Sequence, residues 1–206
     1  MLEHIDHTCL RPDATEKDME RLCQEAEQYN FRGICVAPSN LWLVRDYPGI
    51  ISTVIGFPTG AHTVEIKIGE IVGAACDGAT EFDVVWNIGL FKEGKHLHLL
   101  NHLRRVVRAV EQHHVKVIVE ECYLDVAERE LAWKIVRDSG AWAIKTSTGF
   151  GPRGASLDTI HQWWTLGTDL KIKASGGIKT REQAKAFIAA GADIIGTSHG
   201  VSMQPR

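Results

Sequence analysis

Two lysines and an aspartate stand out because of the segments that carry them. Lys145 lies in AWAIKTSTGF, Lys173 in LKIKASGGI and Asp83 in EFDVVWN, each a run of the β-branched and aromatic residues that suit a buried strand. Side chains alternate along a strand, so Ala141, Ala143, Lys145 and Ser147 share one face while Trp142, Ile144 and Thr146 share the other. The same count groups Lys171, Lys173 and Ser175, and separately Asp83, Val85 and Asn87. An ammonium held away from water is costly, and both desolvation and a neighbouring cation favour the neutral amine. A neutral amine is a nucleophile that adds to a carbonyl, and the resulting iminium is an electron sink through which an adjacent carbon–carbon bond breaks or forms. A buried Lys–Asp ion pair with no role beyond structure is the alternative for any one lysine. Two lysines late in successive strands favour chemistry.

A second signal follows Lys173. In KASGGI the glycines come directly after a strand, where exposed backbone N–H groups can cradle a phosphate. Gly196 and Ser198 in GTSHG end the last strand. A Gly-Gly pair is also an ordinary tight connection, so its position is what gives it weight.

The elements that must position these groups are legible as alternating β and α units. Strand-like runs occur at 4–8, 33–38, 51–58, 81–89, 115–121, 141–149, 171–178 and 193–198. Helical apolar spacing occurs at 16–29, 40–46, 63–76, 95–113, 126–138, 156–166 and 181–190. Thr180 with Gln183 and Asp125 with Glu128 have the spacing of N-terminal capping boxes, and Gly140 and Gly191 suit helix C-termini. Eight strands with intervening helices close into a barrel, whereas an open parallel sheet of that size leaves edges to protect. The expectation is a single-domain (β/α)8 TIM barrel of the α/β class spanning 1–206, with little chain after Ser198 for an eighth helix. In such barrels the active site sits at the C-terminal strand ends, and the loops after strands seven and eight commonly hold phosphate.

The 206 residues are 44% hydrophobic and 24% charged, enough for one packed core. A net charge of -3 gives no global reason to bind nucleic acid or an anionic membrane, so phosphate recognition must be local. The N-terminal MLEHIDHTCL lacks the basic and apolar regions of a signal peptide, and no membrane-length apolar stretch follows. Five scattered cysteines suggest free thiols in a reducing cytoplasm. Cys35 falls on an inward strand face, where a buried thiol is a small apolar group. The ten histidines suggest no metal site: His113 and His114 read as a helix end, and His96 and His98 as an exposed turn. Glu120 and Glu121, adjacent on a strand, point to opposite faces and are not a dyad. Trp163 and Trp164 face different directions on one helix, so one of them is available for an oligomer contact, and a homodimer is expected on symmetry grounds.

Taken in order, IDHT, VIGFPTG, EFDVVWNIG, KVIVEE, IKTSTGF and KIKASGGI span nearly the whole chain and resemble the 2-deoxyribose-5-phosphate aldolase family. That resemblance implies a Schiff-base lysine at Lys145, a neighbouring cation at Lys173 that lowers the pKa of Lys145, and proton relay through Asp83. It implies phosphate binding by Gly149, Gly176, Gly177, Gly196 and Ser198. The reaction would be reversible cleavage of 2-deoxyribose 5-phosphate to acetaldehyde and glyceraldehyde 3-phosphate, with small aldehydes and sugar phosphates as partners. No cofactor and no metal are implied, because an iminium replaces a Lewis acid. In the same family a cysteine at the Cys35 position can be attacked by unsaturated aldehydes. The chain departs from the family at Pro152 and Arg153, where a Ser/Gly-like stretch is usual, and at Trp86, which alternation turns towards the helices. Arg153 reads as a solvated loop charge. The rival readings are a Schiff-base lyase for another aldehyde, a phosphate-binding isomerase, which would want a Glu or His base at a strand end, and a non-catalytic sugar-phosphate barrel.

Overall fold

A computed structural model describes residues 1–204. Eight parallel strands, β1 (Ile5–Cys9), β2 (Gly33–Val36), β3 (Ile50–Ile55), β4 (Glu81–Val85), β5 (His114–Ile118), β6 (Ala143–Lys145), β7 (Lys171–Ser175) and β8 (Ile194–Thr197), hydrogen-bond in sequence order. β8 pairs back onto β1, with Asp6 opposite Gly196, so the expected barrel is closed. Around it run α1 (Glu16–Gln28), α2 (Leu41–Val44), α3 (Val64–Cys76), α4 (Ile88–Lys92), α5 (His96–Arg108), α6 (Val126–Asp138), α7 (Leu157–Leu166) and α8 (Arg181–Ala189). A single 3-10 turn, Gly200–Met203, stands where an eighth crossover helix would lie. None of the described helices is long and apolar enough to cross a membrane.

Helix starts follow local chemistry. The hydroxyl of Thr180 accepts from the Gln183 N–H while Gln183 caps in return, and Asp125 with Glu128 does the same for α6. Gly140 and Gly191 leave their helices with φ of 80° and 114°, a region where a side chain would be strained. Asn87 caps α4, a short helix absent from the sequence reading, by accepting from the Leu90 N–H at 3.0 Å.

Apolar packing lies between the strands and the helices. Phe82, Val84 and Trp86 turn outward from β4 and are fully buried, and Trp86 stacks on Phe91 of α4 at 4.7 Å while its indole N–H donates to the Val119 carbonyl. Trp163 of α7 is buried with its indole donating to the Arg129 carbonyl, whereas its neighbour Trp164 is half exposed. Large side chains of this kind stabilise the shell by ~1.5–3 kcal/mol each. That shell frees the barrel interior to hold polar groups.

Four segments differ from expectation, the first being the strand forecast for 81–89, which ends at Val85 with Ile88 and Gly89 already in α4. The strand forecast for 115–121 ends at Ile118, because Glu120 adopts left-handed φ and ψ of 51° and 66°, which no strand tolerates. The strand forecast for 141–149 is reduced to three residues, with Gly149 at φ 88°. α5 stops at Arg108, so His114 does not end a helix: it pairs with Glu81 as the first residue of β5 and stacks on Trp142 at 4.1 Å. His96 and His98 lie in the first turn of α5, where His98 is exposed as expected and His96 packs on Phe91.

Candidate active site

The interior of the barrel is a ladder of charges. At the N-terminal end of the strands, Arg32 donates to Asp6 Oδ1 at 2.8 Å and to both oxygens of Glu81. One layer up, Lys116 reaches Glu81 at 2.7 Å, Asp83 Oδ1 at 2.9 Å and the Ser52 hydroxyl at 3.1 Å. Lys173 bridges Asp6 Oδ2 at 2.5 Å and Asp83 Oδ2 at 2.8 Å. Lys145 donates to that same Asp83 oxygen at 2.7 Å. The strand register makes this possible, since Lys145 pairs with Lys173 and Asp83 with Lys116 across the ladder.

Burial opposes the charges of Asp6, Glu81, Asp83 and Lys173, and pairing outweighs it. Burial alone would raise the Asp83 carboxyl, but Lys116, Lys145 and Lys173 together hold it well below the usual carboxylate range. Asp6 is likewise lowered against its own burial by Lys173, Lys116 and Arg32. Glu81 is brought down to about 2, with the Arg32 guanidinium as the leading opponent of burial. Burial pulls the Lys173 ammonium down, yet Asp6 and Asp83 lift it above its ordinary value, so it remains cationic. Four cations, Arg32, Lys116, Lys145 and Lys173, thus face three carboxylates, Asp6, Glu81 and Asp83.

The sequence reading anticipated the meeting of Lys145, Lys173 and Asp83 but missed Asp6, Lys116, Glu81 and Arg32. Alternation carried a signal for three of them: Asp6 in IDHT, Glu81 in EFDVV and Lys116 in KVIVEE fall on inward faces of β1, β4 and β5. Lys171 shares the face of Lys173 but lies at the outer start of β7, half exposed and paired with Asp193 at 2.8 Å.

Above the ladder, at the C-terminal strand ends, opens a cleft of about 980 Å³. Lys145 is the lysine of the ladder that lines it; Lys173 and Asp83 lie fully buried beneath. Gly149, Gly176, Gly177, Gly196 and Ser198 all border the same cleft. Their local reasons differ. Gly149 and Gly177 have left-handed φ and nothing within 4 Å of where a Cβ would stand, which leaves their backbone open to the cleft. Gly176 makes a close crossing instead, because a Cβ on Gly154 would sit 2.0 Å from its carbonyl oxygen. At Gly196 a Cβ would come within 3.1 Å of Cε of Lys173, so this glycine makes room for the buried ammonium. Lys179, which the sequence reading passed over, borders the cleft beside these glycines and supplies a cation there. Its position directly after GGI was the available signal.

The loop after β6 is tied to the end of β5. Glu120 Oε2 accepts from the backbone N–H of Thr148 at 3.1 Å and from its hydroxyl, and that hydroxyl accepts from the Phe150 N–H at 3.0 Å. Glu121 turns elsewhere, accepting from the Ser156 N–H at 2.6 Å, and burial pushes its carboxyl up. The two glutamates are therefore not a dyad, though the reason is separate partners rather than strand alternation. Cys35 is fully buried, and burial, followed by Asp83, pushes its thiol up. Arg153 is exposed and donates to the Cys122 carbonyl.

A family model described as DeoC/LacD family aldolase matches residues 1–204. The chain is 46% identical to the deoxyribose-phosphate aldolase of Dictyoglomus turgidum, over 98% of this chain and 95% of that relative. Among solved structures it superposes on one described as QR15, an aldolase, with a TM-score of 0.95 and 38% identity, covering 98% of this chain and 93% of the other. A deoxyribose phosphate aldolase from Aeropyrum pernix, described as a unique tetramer, superposes with a TM-score of 0.90 at 34% identity, covering 98% and 88%.

Proposed function

The chain belongs to the DeoC/LacD aldolase family, and from that premise we propose that it is a Schiff-base aldolase cleaving 2-deoxyribose 5-phosphate reversibly to acetaldehyde and glyceraldehyde 3-phosphate. The observation that carries the reading is Lys145, a lysine 3% exposed, paired with one oxygen of a buried carboxylate and open to the cleft.

The charge count supports Lys145 as nucleophile. Its neutral form leaves three cations facing three carboxylates, so the proton departs without orphaning an acid, and Lys173 still holds Asp83. The amine adds to C1 of the open-chain sugar, and loss of water gives the iminium. Removal of the C3 hydroxyl proton then breaks the C2–C3 bond. The electron pair moves into an enamine on Lys145 and glyceraldehyde 3-phosphate leaves as the aldehyde. Protonation at C2 and hydrolysis of the iminium release acetaldehyde and the free amine. Asp83, which accepts from Lys145 and Lys173 through one oxygen, orients the two amines and is the proton relay that the family resemblance implies. Lys173 is the fixed cation beside the reacting nitrogen.

Phosphate binding falls to the backbone at Gly149 and Gly177, beside which there is open space, with Gly176, Gly196 and Ser198 bordering the same region and Lys179 adding charge. The iminium serves as the electron sink, so the reaction as written needs no metal. Self-association is part of the same reading, supported by the exposed Trp42, Leu97 and Trp164, and five free thiols suit a reducing cytoplasm.

Borohydride reduction in the presence of 2-deoxyribose 5-phosphate should leave a stable adduct mass on the peptide containing Lys145 and none in Lys145→Ala. Correctly folded protein that gives no adduct with this substrate or with acetaldehyde would overturn the reading in favour of a binding barrel.

A further inference from the structure

Glu120 is a buried acid beside the cleft that the chemistry above does not use. It is 3% exposed and occupies left-handed backbone space at φ 51°, where a side chain other than glycine is strained. The partners of its carboxylate are the Thr148 N–H, the Thr148 hydroxyl and the Cys122 thiol at 4.0 Å, and none is a cation. A buried acid without a cation and a strained backbone both work against stability. Strain of this kind persists where the surrounding structure enforces it, and it concentrates at functional sites.

What the strain accomplishes is visible in the loop after β6. The chain from Thr148 to Gly151 wraps around the Glu120 carboxylate: Thr148 is held at one end by two hydrogen bonds, and at the other a Cβ on Gly151 would lie 2.8 Å from Oε1. Between these fixed ends stands Gly149, with its open backbone, and Phe150, 59% exposed and edge-on to Phe57 at 5.3 Å. Thr148, Gly149 and Phe150 line the cleft directly after the strand that delivers Lys145.

We infer that Glu120 is a positioning residue for substrate: it holds the loop from 148 to 151 so that the Gly149 amide faces the phosphate-bearing end of the sugar. The inference rests on the aldolase reading and assigns Glu120 no part in the bond-breaking step. Its mark is selectivity. Loosening the loop weakens binding of a phosphorylated substrate more than that of acetaldehyde, which carries no phosphate and needs only Lys145.

The test uses Glu120→Gly and Glu120→Gln in the full chain. Glycine adopts the left-handed conformation freely but leaves the Thr148 N–H without its acceptor, so circular dichroism and the unfolding temperature establish that E120G is folded at the assay temperature. Its half-saturating 2-deoxyribose 5-phosphate concentration in borohydride trapping should rise on the order of tenfold or more, against a change of less than about threefold for acetaldehyde. E120Q keeps an oxygen able to accept both Thr148 bonds and should return the sugar-phosphate value to within about threefold of the parent. Equal losses for the two substrates, an unchanged sugar-phosphate value in E120G, or an E120Q variant as impaired as E120G would each overturn the inference. Absence of any Lys145 adduct in the parent protein would instead sink the aldolase reading itself.

Discussion

Replacing Lys173 by methionine removes one charge from the ladder while keeping roughly the volume that Gly196 leaves for it. In the parent, Asp83 is shared by Lys116, Lys145 and Lys173, so Lys145 can be neutral while two cations still face Asp83. In Lys173→Met the remaining cations, Arg32, Lys116 and Lys145, exactly match Asp6, Glu81 and Asp83 in number. Loss of a proton from Lys145 then leaves the interior with a surplus negative charge. Two unit charges about 5 Å apart at an effective dielectric of ~20 interact by about 3 kcal/mol, which corresponds to a displacement of roughly two pH units. The acidic limb of the kcat/KM profile for 2-deoxyribose 5-phosphate should therefore move up by one to two units, on that order-of-magnitude scale, with part of the lost rate recovered in alkali.

The assay is a pH series of kcat/KM on parent, Lys173→Met and Lys173→Arg, with circular dichroism at each pH to exclude unfolding. Arginine keeps the charge and should leave the limb near its parental position even if geometry lowers the rate. A methionine variant slowed equally at every pH, with the limb unmoved, would refute the electrostatic role of Lys173. Removing one partner of a buried ion pair also costs about 3–5 kcal/mol of stability, so lower unfolding temperatures are expected of the methionine variant and do not decide the question.

Two further outcomes follow from the geometry. Gly154→Ala, whose Cβ would stand 2.0 Å from the Gly176 carbonyl oxygen, should destabilise the fold by about 1–3 kcal/mol in urea titrations and raise KM for the sugar phosphate by displacing the Gly176–Gly177 turn; parental values for both would contradict the close crossing. Glu81 has a folded pKa of about 2 against an ordinary 4.5, so its contribution is present above the higher value and lost as pH falls towards the lower, an order-of-magnitude loss of about 3 kcal/mol that acid titration of the unfolding free energy should detect and Glu81→Gln should remove.

The barrel was legible because each strand is a short β-branched run bounded by turn residues and each crossover has helical spacing or a readable cap. What was lost was lost at the β-to-α junctions. Glu120 belongs to VIVEE, which continues the apolar alternation, and nothing in a glutamate announces a left-handed backbone. Its carboxylate is engaged by Thr148 and faces Gly151, partners about thirty residues away that the local sequence does not reveal. The early end of α5 is similar: His114 could extend a helix, but pairing with Glu81 and stacking on Trp142 claim it for β5.

For the site, alternation tells which way a side chain points but not at what height in the barrel it meets its neighbours. Lys171 and Lys173 share a face, yet one pairs with Asp193 at the rim and the other lies at the centre. Height depends on register across eight strands, a non-local quantity fixed only when β8 closes on β1. This is why Asp6, from the first strand, could not be joined by inspection to Lys173, from the seventh, although their side chains meet at 2.5 Å. The same closure selects among the three interior lysines. Lys116 has three carboxylates within 3.8 Å and Lys173 two, and neither opens to the cleft, while Lys145 has one shared oxygen below it and the cleft above. A lysine with one bond to lose and a carbonyl to reach is the one from which a proton can leave without stranding a buried acid.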